Sequence, residues 1–244
     1  MDQLSYMIDI RRHLHRHPCL SGKEEETAAW LSARLEELGY RPRMAAEGTG
    51  LYCDLSAGEG KPFILLRADI DALPLQEQTG LAFASETPGV MHACAHDGHA
   101  AMVMGAARAL REAGELPCSV RFLFQPAEEV GGGAARMIEE GCLPEHLAAV
   151  FGCHIWASVP SGVIGLRRGT LMASNDRFTV RFLGRTAHCA MRREGRDALQ
   201  AGARMATLLD RIPASLPPEE AALVFVGKLQ AGNVYNVVAD CCEL

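Results

Sequence analysis

The chain has 244 residues, of which 48% are hydrophobic and 22% are charged, and its formal net charge is −6. This composition excludes a disordered protein, and the length leaves room for one or two domains with a sizeable core. The negative charge argues against nucleic acid or an anionic membrane as the main partner, and nine scattered cysteines without a signal peptide predict a reducing, cytoplasmic location.

The first two thirds of the chain predict strands that alternate with helices, which argues for a mainly parallel α/β sheet. Ser21 and Glu24 have the spacing of a capping box for the second helix. Three of the predicted strands are continuous apolar runs, typical of buried strands. In chain order the patterns predict a helix before Pro18, a helix ending at Gly39, strands at 51–55 and 62–70, a helix at 98–114, a strand at 118–124, a short helix at 132–141 and a strand at 148–153.

Residues 91–99, with the sequence MHACAHDGH, place one thiol, three imidazoles and one carboxylate just before the third helix. If this segment is extended, Cys94 and His96 point to the same side. A thiolate and an imidazole form a donor pair suited to Zn²⁺ or a related divalent ion. The alternative is a histidine-rich loop that caps the helix, with Cys94 a small buried hydrophobic residue.

Polar residues follow the ends of three predicted strands. Asp69 and Asp71 follow the first, Glu128 and Glu129 the second, and His154 the third. Each has an ordinary structural alternative: a turn cap for the aspartates, a solvated pair for the glutamates and a core position for the histidine. Because functional groups in such sheets gather beyond the carboxyl ends of the strands, the coincidence of all three predicts a metal site shared with the thiol–imidazole pair.

Two adjacent glutamates beside a metal site suit the hydrolysis of an amide bond. One can bind the metal, while the other takes a proton from the activated water and passes it to the leaving amine. A purely structural zinc site would instead have four closed ligands and no spare carboxylate.

The composition changes at 171–176, so we assign residues 1–173 to a catalytic domain and residues 174–244 to a second domain. The β-α-β-β order of the second domain is most of a ferredoxin-like unit, and the last helix and strand are missing. Its predicted elements are a strand at 176–184, an amphipathic helix at 195–212 with Leu199, Met205, Leu208 and Leu209 in the core, and strands at 222–230 and 234–244.

Four segments, RADIDALP, MHACAHDGHA, LFQPAEEVGGGA and GCHIW, resemble the successive signatures of the M20 metallopeptidases. The nearest subgroup is the amidohydrolases, and the resemblance covers essentially the whole chain. It implies a zinc-peptidase-like catalytic domain with an inserted ferredoxin-like lid through which subunits form a homodimer. It also implies two divalent ions (Zn²⁺ or Mn²⁺, with Co²⁺ as a further candidate) and small N-acyl amino acids as substrates.

The resemblance also implies roles for individual residues, carried over by position. Glu128 matches the general base, Asp69 an active-site acid and Asp71 a supporting carboxylate. In the lid, His188 matches a histidine that reaches a neighbouring subunit's site to stabilise the oxyanion, and Asn236 matches an asparagine that orients substrate. The metal ligands are Cys94, His96, Glu129 and His154.

The sequence departs from the family pattern at several places. The family also takes a last histidine ligand from a segment after the lid, before which this sequence stops, so we expect residues 1–244 alone to bind metal poorly and hydrolyse little. Two alternatives follow: an inactive fragment that serves as a dimerisation or binding module, and a mononuclear metal protein whose cysteine ligand is a redox-sensitive thiol. The departures are Ala95 for glycine, Thr186-Ala187 for a glycine pair, Met191-Arg192 for Pro-His, and Ala239 for proline.

Overall fold

The computed structural model describes residues 1–217 and 222–244. The chain divides into two compact units, Met1–Ile164 and Gly165–Leu244. The assignment of a catalytic domain to 1–173 and a lid to 174–244 remains a prediction. Within the described residues, no helix combines the length and the apolar character needed to cross a membrane.

The first unit contains a mixed sheet with helices on both faces. Strands β4, β3 and β5 are parallel, whereas β2 and β1 extend the sheet in the antiparallel sense, so the strand order is β1-β2-β4-β3-β5. The predicted α/β class is therefore confirmed. The helices are α1 (Gln3–Arg16), α2 (Glu25–Glu37), α3 (His96–Glu112) and α4 (Gly133–Glu139). The strands are β1 (Arg43–Ala45), β2 (Gly50–Leu55), β3 (Phe63–Asp69), β4 (Ser119–Gln125) and β5 (Leu147–Gly152).

The core lies on both sides of β4, because successive side chains of a strand point to opposite faces of the sheet. Phe122 and Phe124 are fully buried in a cluster that also contains residues of α1, α2 and α3. Leu123 belongs to a smaller cluster with Met137 of α4. This layering buries the side chains of β4 on both faces of the sheet, and polar residues follow where the strand ends.

The prediction of a buried strand at 148–153 is wrong. In the described residues β5 has β3 as its only strand neighbour, and Val150 and Phe151 are 57% and 55% exposed. A continuous apolar run indicates a strand, but it does not show whether that strand lies at the centre or at the edge of the sheet.

The second unit contains a small antiparallel sheet of order β6-β8-β7. Most of the predicted strand residues at 176–184, 222–230 and 234–244 lie outside its short strands, and residues 218–221 are outside the described part. The ferredoxin-like lid remains a prediction. The elements are β6 (Arg181–Leu183), α5 (Ala198–Leu209), α6 (Ile212–Ser215), β7 (Gln230–Ala231) and β8 (Cys241–Glu243).

Helix α5 packs through a face that differs from the predicted one. Leu209 is buried as predicted, but Leu199 and Leu208 are 40% and 61% exposed. The other buried positions are Ala198 and Gly202. A Cβ atom at Gly202 would collide with Cys242 of β8, so the buried face of the helix combines two small residues with Leu209 and leaves Leu199 and Leu208 outside.

Candidate metal centre

Polar groups gather beyond the carboxyl ends of the three parallel strands and meet the residue 91–99 segment. The ligand atoms of Cys94, His96 and Glu129 all lie within 4.8 Å of one another. The Nε2 atom of His154 lies 3.5 Å from the Sγ atom of Cys94. The structure therefore brings the four predicted metal ligands into one cluster.

The ring of His96 is held in one orientation and one tautomer. Its Nδ1 atom lies 2.9 Å from the main-chain oxygen of Asp71 and 3.2 Å from Oδ1 of the same residue. Both oxygens are acceptors, so in the neutral ring Nδ1 carries the proton and Nε2 has the lone pair that a metal ion can bind. Nε2 is buried and has no hydrogen-bond partner within the described residues. An imidazole oriented by a carboxylate in this way is the usual arrangement of a metal-binding histidine.

The carboxylate of Asp71 is hydrogen-bonded to two candidate ligands, His96 and Glu129. Its Oδ2 atom accepts hydrogen bonds from the Ser21 hydroxyl at 2.7 Å and from the main-chain N–H of Glu129 at 3.0 Å. Burial raises the pKa of Asp71, but the hydrogen bonds from His96 and Ser21 outweigh burial and leave that pKa lowered. The carboxylate is therefore ionised at neutral pH and fixes both the His96 ring and the Glu129 backbone.

The capping box predicted for Ser21 and Glu24 is wrong. Glu24 is the N-cap residue of α2 but makes no side-chain capping bond. Its buried Oε1 atom accepts the N–H groups of Gly22 at 2.9 Å and Ala127 at 2.8 Å. Ser21 and Glu24 therefore support Asp71 and the turn that carries the two glutamates. Sequence spacing missed this role, because the competing partners lie 50 and 103 residues away.

Cys94 and His96 are brought together by a left-handed residue rather than by an extended segment, so the predicted local conformation is wrong. Ala95 has φ 63° and ψ 26°, and His96 is the first residue of α3. A residue with a Cβ atom pays about 1–2 kcal/mol in this conformation, whereas glycine adopts it freely. This is the position at which glycine was expected from the family pattern.

Replacing Ala95 by Gly is expected to raise the free energy of unfolding by about 0.5–1 kcal/mol, because relief of left-handed strain exceeds the extra chain entropy of glycine. Urea unfolding with an unchanged m-value measures this effect. Ala106→Gly, within α3, is the matched control and should lower stability by about 0.5–1 kcal/mol. A destabilised Ala95→Gly protein would contradict the prediction.

The cluster has the donor types and spacing that a divalent transition metal needs. Burial, and then the negative charge of Glu129, raise the pKa of the Cys94 thiol to about 12, so the thiol keeps its proton unless a cation enters. Nε2 of His96 lies 3.7 Å from Oε1 of Glu129, and both atoms are buried without a partner in the described residues. Ligand atoms at about 2.0–2.3 Å from a tetrahedral ion are about 3.3–3.7 Å apart. The residues present therefore fit a metal ion.

Asp69 is a fixed carboxylate at the edge of the cluster. His99 Nδ1 lies 2.6 Å from its Oδ1 atom, and Arg67 donates to its Oδ2 atom at 2.7 Å. Burial raises the pKa of Asp69, but the His99 hydrogen bond and the Arg67 charge lower it overall to about 2. Its Oδ2 atom lies 3.6 Å from Nε2 of His96. Arg67 and His99 are site residues to which sequence reasoning gave no role, because their partners become visible only in the fold.

The remaining predicted residues fall into two places. Glu128 is exposed, unlike Glu129, and its charge contributes to the raised pKa of Cys94. His188 and Asn236 lie in the second unit, where the N–H of Cys189 donates to the main-chain oxygen of Asn236 at 3.0 Å. Both side chains are exposed. Their predicted roles remain predictions.

A family profile, curated relatives and a solved structure all resemble this chain. The sequence profile of peptidase family M20/M25/M40 matches residues 65–233. The N-acetyl-L-cysteine deacetylase of Bacillus subtilis strain 168 is 43% identical over 236 residues, which cover 96% of this chain and 56% of that protein. The N-acyl-L-amino acid amidohydrolase of Geobacillus stearothermophilus is 38% identical over 241 residues, which cover 98% of this chain and 65% of that protein.

A solved structure is also similar. The crystal structure of a Bacillus subtilis protein described as a dinuclear metal binding peptidase from the M20 family has a TM-score of 0.74 and 37% identity, covering 99% of this chain and 62% of that chain. The chain thus spans 56% to 65% of the length of these relatives.

Proposed function

The chain belongs to peptidase family M20/M25/M40, and we propose that it is a metal-dependent amidohydrolase that cleaves the amide bond of small N-acyl amino acids. The observation that carries the proposal is the cluster of Cys94, His96, Glu129 and His154, with a second, exposed glutamate beside it. The names of two relatives, a deacetylase and an N-acyl amino acid amidohydrolase, support the substrate class.

In this proposal the four clustered residues hold two divalent ions. Sulfur, nitrogen and oxygen donors together suit Zn²⁺, and Mn²⁺ and Co²⁺ are the other candidates. When bound, such ions polarise the amide carbonyl and make water more acidic. Two of the ligands are already oriented before any ion binds, because Asp71 is hydrogen-bonded to the His96 ring and to the Glu129 backbone.

Glu128 is proposed as the general base. It takes a proton from the attacking water and delivers it to the nitrogen of the leaving amine. The two glutamates are supported differently, which suits this division of labour. Glu129 has a partly buried side chain and a backbone tied to Asp71, whereas the Glu128 side chain is exposed and has no hydrogen bond within the described residues.

The second unit is proposed to complete the site as a lid and to form the contact of a cytoplasmic homodimer. His188 would stabilise the oxyanion of the tetrahedral intermediate, and Asn236 would orient the substrate. Their main chains are neighbours in the second unit, because His188 forms a bridge with Val237. This adjacency supports a shared role for the two residues.

The test of this function is the release of free amine from N-acetyl and N-benzoyl amino acids after addition of Zn²⁺, Mn²⁺ or Co²⁺. Because residues 1–244 alone are expected to hydrolyse little, the protein assayed is this chain extended by the closing segment of a relative such as the Geobacillus stearothermophilus amidohydrolase. We expect hydrolysis to require the metal and to stop on addition of a chelator. Dipeptides with a free amino group serve as the control substrates and should be hydrolysed more slowly. Tight metal binding without any hydrolysis would contradict the enzyme and favour a binding module.

A further inference from the structure

His99 lies beside the candidate ligands, but neither of its ring nitrogens is free to bind a metal. Nδ1 lies 2.6 Å from Oδ1 of Asp69, and the main-chain N–H of Ile155 donates to Nε2 at 2.9 Å. A main-chain amide can only donate, so Nε2 must carry the lone pair and Nδ1 the proton. The ring is 2% exposed, and its two hydrogen bonds leave it in a single tautomer and orientation.

The residue that His99 holds belongs to the segment that carries His154. This segment follows the end of β5 at Gly152 and has no regular secondary structure. Nδ1 of His154 donates to the main-chain oxygen of Ile155 at 2.7 Å, which leaves Nε2 of His154 facing Cys94. The amide of Ile155 and the ring of His154 are therefore parts of one local structure.

Two further contacts place the same segment against the start of α3. The rings of His99 and His154 pack with their centroids 4.5 Å apart. A Cβ atom at Gly98 would collide with Cδ1 of Ile155, so the side chain of Ile155 lies directly against the first turn of α3. The His99 hydrogen bond is thus one of three contacts that hold this otherwise exposed segment against the start of α3.

We propose that His99 is a positioning residue that holds His154 in its metal-binding orientation through the amide of Ile155. Asp69 accepts a hydrogen bond from the Nδ1–H group of His99. This bond keeps the proton on Nδ1, so Nε2 is left as the acceptor for the Ile155 amide. This inference rests on the proposed metal centre, since it gives a task to a residue that neither binds the metal nor transfers a proton.

The first test is a thermodynamic cycle measured by calorimetric titration with Co²⁺, in the chain extended by the closing segment of a relative that is also used to test the function. Removing a partner that orients a metal ligand typically costs about 10–100-fold in metal affinity, and we expect that loss for His99→Ala. His154→Ala should cost at least as much. If His99 acts through His154, the double variant should bind Co²⁺ within about twofold of His154→Ala alone, because the second change then removes nothing further.

The second test separates the two hydrogen bonds of His99 by partial replacement. The side-chain oxygen of His99→Gln can reach the position of Nε2 and accept the Ile155 amide. The side-chain NH₂ of His99→Asn instead reaches the position of Nδ1 and can donate only to Asp69. We expect the glutamine variant to recover most of the Co²⁺ affinity and the asparagine variant to remain as weak as the alanine variant. Thermal unfolding without metal shows whether each variant is folded.

Three results would overturn the inference: unchanged Co²⁺ affinity in His99→Ala, losses that multiply in the double variant, or recovery by asparagine but not by glutamine. Failure of the metal centre itself has a different signature. In that case the unsubstituted protein would not bind Co²⁺, or Cys94→Ser would bind it equally well, and the proposed function would fall together with the inference.

Discussion

Replacing Glu128 by Gln in the chain extended by a relative's closing segment is expected to lower the turnover of N-acetyl amino acids by about 10²–10⁴-fold, the usual contribution of general acid–base catalysis. The amide keeps the size and shape of the side chain but cannot accept a proton from water. Because Glu128 is exposed and lies outside the cluster of Cys94, His96 and Glu129, the affinity of the protein for Zn²⁺ or Mn²⁺ should not fall. Steady-state kinetics and a metal titration of the same preparation measure the two quantities.

Two controls make this result specific. Glu129→Gln removes a candidate ligand and should lose metal affinity as well as turnover, which separates the ligand from the base. Glu139→Gln changes an exposed residue of α4 and should leave both quantities unchanged. Turnover within about tenfold of the unsubstituted protein in Glu128→Gln would mean that another group accepts the proton.

Replacing Cys94 by Ser is expected to weaken Zn²⁺ binding by more than about 100-fold, because loss of a ligand should exceed the cost of losing a residue that only orients one. Cys94 Sγ is within reach of all three other candidate ligands, so it is the shared atom of the cluster. A serine hydroxyl is a much poorer ligand for Zn²⁺ than a thiolate. Competition with a chromophoric chelator measures the affinity.

Cys118→Ser is the matched control for this substitution. Cys118 is half-buried and precedes β4. In the described part of the chain, the groups of residues spaced to hold a metal ion are Cys94, His96 and Glu129, and Asp69, His96 and His99, and Cys118 belongs to neither. Its replacement by serine should leave Zn²⁺ affinity unchanged. Equal affinity of the two serine variants would remove Cys94 from the ligand set.

The candidate metal ligands can be recognised from the amino-acid sequence alone. Apolar runs locate the strands, and the polar residues that follow 62–70, 118–124 and 148–153 are visible without any structure. Parallel strands bring their carboxyl ends to the same edge of a sheet, so residues at these positions meet whatever the details of packing. For this reason the cluster of a thiol, two imidazoles and a glutamate could be predicted before the fold was known.

Local patterns were less reliable where long-range partners compete for the same groups. Ser21 and Glu24 fit a capping box, yet their oxygens bond to Asp71 and to the Ala127 amide. A spacing of three residues records only that a cap can form. It does not show that the Asp71 carboxylate and the Ala127 amide, which come from distant segments, need the same side chains as hydrogen-bond partners. Leaving a buried polar group without a partner costs more free energy than losing a helix cap that water can replace.

The way in which the candidate ligands are held becomes visible in the folded protein and not before. Ala95 has a left-handed conformation, and with it the side chains of Cys94 and of His96, the first residue of α3, lie beside each other. The tasks of His99 and Asp71 depend on hydrogen bonds to Ile155, Asp69, Ser21 and Glu129, which the fold brings together from separate parts of the chain. A buried donor or acceptor must find a partner, but which partner it finds is set by the packing of whole helices and strands. The sequence therefore determined the chemistry of the centre, and the fold determined its orientation.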